Sequence, residues 1–183
     1  MPDRGPSELR AAAATWVLLP MLSTALMWAW AVTLWPRLPH QIPMHFNAQG
    51  HPDRFESTTA ARWFLLPIAA TMLSALMLGT ARLLGFLARS FPQWLNMPHR
   101  ERFMKLAPRE REYIIWPLAR MMLGLPVVFA ALFGGIQWAT ERVANGALRG
   151  LPLLIPVGGI VATLFWVTFG IGAMLKRARA ASD

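Results

Sequence analysis

The sequence predicts an all-α integral membrane protein, a bundle of four transmembrane helices with a structured outer loop between the first and second. Three observations carry this. Over half of the 183 residues are apolar and only 15% are charged, where a soluble domain carries roughly a quarter. The apolar residues gather into four runs, and a helix needs ~20 such residues to cross about 30 Å of hydrocarbon. The basic residues behind the net charge of +9 fall in the gaps between the runs. That distribution belongs to a chain sorted across a lipid bilayer, not to a cationic face for nucleic acid. The length suits a single membrane domain, residues 1–183.

The first run, residues 11–35, contains no charge. It exceeds the core of about 7–15 residues found in a cleavable leader. Trp28 and Trp30 also crowd its one small-residue site, so it reads as a retained span. The second, 63–87, is uncharged up to residue 80 and stays apolar past Arg82. The third, 114–139, is interrupted only by Arg120, and the fourth, 151–175, is again uncharged. Pro20, Pro67, Pro117 and Pro126 lie inside these runs and predict kinks whose freed carbonyls find partners on neighbouring helices. The pairs Ala75/Gly79 and Gly158/Ala162 have the four-residue spacing of close helix contacts within a bundle.

Topology follows from charge. With four spans, both tails and the second connection share one side. That side holds eleven Lys and Arg, among them Arg4, Arg10 and Arg89, against five on the other. Both termini are therefore expected to be cytoplasmic. Trp35, Trp63 and Trp138 then fall at the outer interface, and Trp94, Tyr113 and Trp116 near the inner one. Arg82 and Arg120 lie within apolar runs but near the inner side, and are expected to snorkel to the headgroups. No span as drawn contains Asp or Glu, which argues against an ion-coupled transporter built on intramembrane carboxylates.

Two hydrophilic segments are more than linkers. The outer loop, 36–62, holds His40, His45 and His51. Pro43 biases Ile42 toward extended backbone. In an extended 44–47, His45 and Asn47 face one way and Met44 and Phe46 the other. Asn47 to Gly50 has the residues of a tight turn, and Ser57 or Thr58 is placed to cap the second span. The outward surface offers His45, Asn47, Asp53 and Arg54 to an extracytoplasmic peptide or a membrane partner protein. His40, His45, His51 and Asp53 are metal-ligand types, but their spacing matches no metal signature, and the reading calls for no cofactor. The absence of cysteine excludes disulfides, thiolate metal sites and a cysteine nucleophile. Neither HExxH nor a serine nucleophile motif is present, so no catalytic residue is assigned. In the inner loop, 88–113, residues 96–106 mix basic and apolar side chains and suit a short helix on the leaflet surface. Topology-setting charge alone would account for them equally. Pro108 fits the first turn of a helix that runs on into the third span.

The outer-loop run Leu38-Pro39, Ile42-Pro43, His45-Phe46-Asn47, Gly50 and Pro52-Asp53 resembles the signature of the bacterial DUF1648 family. Asn96-Met97-Pro98, Arg100-Glu101, Phe103, Leu106 and Pro108 add to the likeness, as does Gln137-Trp138. The resemblance covers about residues 15–140. It implies a bacterial inner-membrane protein with His45, Asn47, Gly50 and Asp53 as signature positions. Members often carry Ser-Lys before the second span where this chain has Ser57-Thr58. Better understood relatives are immunity proteins of the sporulation-delay-toxin type, which are longer, so their role carries over only distantly. The expected function is that of a non-enzymatic binding, immunity or signalling membrane protein working through its outer loop. A transport subunit or carrier is the alternative, and a metal-dependent membrane enzyme ranks third.

Overall fold

A computed structural model describes the backbone of residues 6–181 and the side chains of residues 15–181. Arg4 and the side chain of Arg10 lie outside the described residues. In chain order come helix α1 (Pro6–Leu34), strands β1 (Gln41–Phe46) and β2 (Pro52–Ser57), then helices α2 (Ala60–Trp63), α3 (Leu65–Ser90), α4 (Arg100–Lys105), α5 (Pro108–Ala144) and α6 (Leu154–Ala180). Of these, α1, α3, α5 and α6 supply four segments long and apolar enough to cross a membrane, the architecture of a multi-pass membrane protein. The all-α expectation needs one correction. The first connection is a two-stranded antiparallel sheet, because a tight turn at 47–50 returns the chain before a helix can form.

The four helices do not share one axial core. Within its apolar stretch α5 is 56% buried by protein, against 22% for α1, 11% for α3 and 6% for α6. The other three therefore surround α5 and turn most of their surface outward. Contact between α1 and α3 rests partly on polar ties, the Thr24 hydroxyl with that of Ser74 at 2.9 Å and Trp28 Nε1 donating to Thr71 Oγ1 at 2.9 Å. Such bonds hold helices together where lipid leaves no hydrophobic drive for association.

Close approach of α6 to α5 uses glycines other than those expected. A Cβ at Gly79 or Gly158 would meet nothing within 4 Å, so the predicted pairs Ala75/Gly79 and Gly158/Ala162 are not close contacts through their glycines. A Cβ on Gly170 would instead stand 2.7 Å from Met121, one on Gly159 2.8 Å from Leu132, and one on Gly124 2.5 Å from the Trp166 indole. Trp166 fills the notch at Gly124 and donates from Nε1 to the Met121 carbonyl at 3.0 Å.

Helix boundaries follow local chemistry. Pro108 opens α5, and the Glu110 carboxylate accepts the Ala107 N–H at 2.8 Å, so the helix runs unbroken into the third span as expected. The second span begins in two pieces, α2 and α3, broken at Phe64. Its cap is neither Ser57 nor Thr58. Strand pairing continues through Thr58, whose N–H bonds the His40 carbonyl at 2.9 Å and whose hydroxyl donates to the Pro39 carbonyl at 2.6 Å. Thr59 caps α2 by accepting the Arg62 N–H. Thr59→Ala is expected to cost about 0.5–1 kcal/mol, read as a lower melting temperature in detergent. An unchanged melt would remove Thr59 from the capping role.

At the end opposite the hairpin, residues 91–107 fold against the bundle. Leu95, Met97 and Phe103 are buried with Ala88, Ile114, Ile115, Met174 and Ala178. The short helix expected here is present as α4, held by Phe103 while Arg102 and Lys105 remain exposed.

Candidate functional site

The hairpin is built by the residues that the sequence singled out. Asn47 accepts three bonds that form the turn, and its own N–H donates to the His51 carbonyl at 2.9 Å. Its carbonyl accepts the Gly50 N–H at 2.8 Å, and its side-chain oxygen accepts the N–H groups of Gln49 at 3.0 Å and His51 at 2.9 Å. This is the local use of an Asn side chain that makes it a turn residue. Gly50 has a φ of +82°, a conformation that only glycine adopts without cost. His45 and Asp53 meet across the strands, Nδ1 to Oδ1 at 2.6 Å, with both side chains largely exposed. They meet because the register slips twice. Met44 is unpaired on β1 and Asp53 on β2, and bulges of this kind twist a hairpin more strongly. Arg54 pairs with Glu56 at 3.4 Å, and Glu56 with Arg62 at 2.6 Å. Arg62 also donates to the carbonyl and hydroxyl of Ser57.

The expected two-sidedness holds in part. His45 faces outward, while Met44 packs on a cluster of Leu34, Ile42 and Trp63. Asn47 is half-buried, since its side chain turns into the loop. Among the described residues no group of three or more His, Asp or Glu is placed to hold a metal ion. Of the four ligand-type residues, only His45 and Asp53 come together.

The hairpin is also docked. The Leu151 N–H donates to the Gly50 carbonyl at 2.8 Å. A Cβ on Gly50 would collide with the Leu151 carbonyl, and one on Gly150 with the Gly50 carbonyl. The turn thus lies backbone to backbone on the connection between α5 and α6. Beneath it, Trp63 is 2% exposed and ties three helices. Its Nε1 donates to the Ala31 carbonyl at 2.8 Å, in the last turn of α1. Its own carbonyl, left without a helical donor because Pro67 has no N–H, accepts from Gln137 Nε2 of α5 at 3.1 Å.

Gln137 begins a polar row that sequence reasoning did not assign. It is 1% exposed, and its Oε1 has no partner among the described residues. One turn on, Glu141 is 8% exposed and accepts from Asn145 Nδ2 at 3.0 Å, with Arg142 Nε at 3.5 Å. Glu141 lies just beyond the third span as drawn, 114–139, in the same helix. The apolar run stops at residue 139 but the helix continues to Ala144. The four-residue spacing of Gln137, Glu141 and Asn145 was the signal available.

Residues 22–71 match the family described as a domain of unknown function, DUF1648. This stretch includes the hairpin, α2 and the start of α3. An uncharacterized protein of Archaeoglobus fulgidus is 30% identical over 162 residues, 87% of this chain and 87% of that protein. The chain belongs to the DUF1648 family. In this DUF1648 protein, the matched segment ends where Trp63 and Pro67 anchor the hairpin to the helices. No solved structure matches the chain.

Proposed function

We propose that this DUF1648 protein is a non-enzymatic binding protein that takes an extended peptide, or a strand of a partner protein, on the free edge of β2. The reading is of the binding, immunity or signalling type. One observation carries it, the exposed outer edge of a docked strand. Phe55 lies opposite Pro43, which has no N–H to offer the ladder, so the backbone groups of Phe55 point away from β1. Phe55 is itself 48% exposed and is flanked by Arg54 and Glu56. An added strand is held by main-chain bonds and selected by side chains such as these. Docking onto α5 and onto Leu151 supports the reading, because a rigid edge loses less entropy on binding. In this proposal the hairpin faces the outside of the bacterial inner membrane and both termini are cytoplasmic. The bias of eleven Lys and Arg against five supports that orientation.

The test is a photo-crosslinking residue at Arg54 in living cells, combined with Phe55→Pro and Phe55→Ala. Proline removes the outward N–H but leaves the bonds to β1 intact. The expected result is a discrete adduct that survives Phe55→Ala and disappears in Phe55→Pro. An adduct indifferent to proline, or none at all, overturns strand addition at this edge.

A further inference from the structure

Two arginines converge where α5 and α6 meet, at the end remote from the hairpin. The Arg120 guanidinium carbon lies 5.3 Å from the ring centroid of Trp16 on α1 and 5.9 Å from that of Phe169 on α6. It makes no hydrogen bond or ion pair to a described residue, and none of its nitrogens is sealed from the surface. Arg177 stands on the same α5–α6 seam, nearer the end of the bundle. Its guanidinium covers the Tyr113 ring at 4.1 Å and donates to the Tyr113 carbonyl at 2.6 Å, which fixes it in place. Arg120 sits seven residues beyond Tyr113, about 10 Å along the helix. Its side chain leans back toward the helix N-terminus, and so toward Arg177. Nearby carboxylates are engaged, Glu112 by Arg89 and Glu110 by the N–H of Ala107. Residues 82–120 carry eight Lys and Arg against three Glu.

Two fixed cations with an apolar setting and no counter-ion among the described residues are costly unless an anion joins them. We propose that Arg120 and Arg177 hold the phosphate of an anionic phospholipid. The rings of Trp16, Phe169 and Tyr113 form the platform that orients the guanidinium planes. The acyl chain lies along the outward face of α6, where Phe165 and Phe169 stack at 6.3 Å and are 67% and 49% exposed. A guanidinium suits this task because its planar donors match phosphate oxygens.

Native mass spectrometry on delipidated protein in detergent tests the site, with phosphatidylglycerol, phosphatidylcholine and inorganic phosphate as probes. Phosphatidylglycerol adducts are expected to persist in the wild type and to fall about tenfold or more in Arg120→Gln/Arg177→Gln, the order expected for two basic side chains facing an anionic headgroup. Arg82→Gln, exposed at the same end of the bundle, is expected to keep them. Should the double variant fail to fold, Arg177→Gln alone reads the same loss, since it leaves the Arg120–Trp16 stack in place. Equal retention of phosphatidylcholine, undiminished adducts in the variants, or displacement of the lipid by millimolar phosphate would each overturn the proposal.

Discussion

Trp63→Ala is expected to be the most damaging single change outside the helix interiors. The indole is 2% exposed and fills the junction of Leu34 and Ile42. Emptying it costs about 3–5 kcal/mol by the usual measure for a buried aromatic. For a chain of this length that is a loss on the order of 10 °C in melting temperature. Trp63→Phe keeps most of the volume and removes only the Nε1 donor to Ala31, at about 1 kcal/mol. Melting of both variants in the same detergent checks the assignment. Equal losses would mean that the hydrogen bond, not the ring, holds α2 to α1. No loss in either would mean that the hairpin base is not part of the cooperative unit.

Gly50→Ala is expected to free the hairpin turn from the second connection. The substitution forces alanine into a positive φ, about 1–3 kcal/mol, and adds a methyl group where the Leu151 carbonyl stands. Gly146→Ala is the natural control. Gly146 also has a positive φ, +74°, but a Cβ there meets nothing within 4 Å. Amide hydrogen exchange at Leu151, whose N–H bonds the Gly50 carbonyl, should accelerate strongly in Gly50→Ala and little in Gly146→Ala. Matching acceleration in the two variants would remove the close approach as the cause.

Much of this architecture was legible in the residues. Hydrocarbon thickness gives the four spans, and Asn47 with Gly50 gives the turn, because the chemistry of each is local. The misreadings share a cause, which is that sequence spacing does not say which face a residue presents. Ala75/Gly79 and Gly158/Ala162 have the right spacing, yet Gly79 and Gly158 meet no neighbour, whereas Gly124 and Gly170 carry the contact. The docking of Gly50 on Leu151 had no local signal, since its partners lie about a hundred residues apart. The signature positions also divide once seen in space. Asn47 and Gly50 build the turn, while His45 and Asp53 remain on its surface.

The central position of α5 bears on how the protein is made. Synthesis proceeds at about 5–20 residues per second. The hairpin and Trp63 therefore leave the ribosome several seconds, on the order of ten, before Gln137, Gly150 and Leu151 exist to receive them. During that interval the nascent chain has α1, the hairpin and α3, joined by the bonds of Thr24, Ser74, Trp28 and Thr71, by the Trp63 bond to Ala31 and by the cluster of Leu34, Ile42 and Trp63. The Trp63 carbonyl has no donor from α5. The first half thus waits for the contacts that α5 and the second connection supply. The segment by which the family is recognised therefore acquires its last contacts only when the end of α5 and the connection after it have been made.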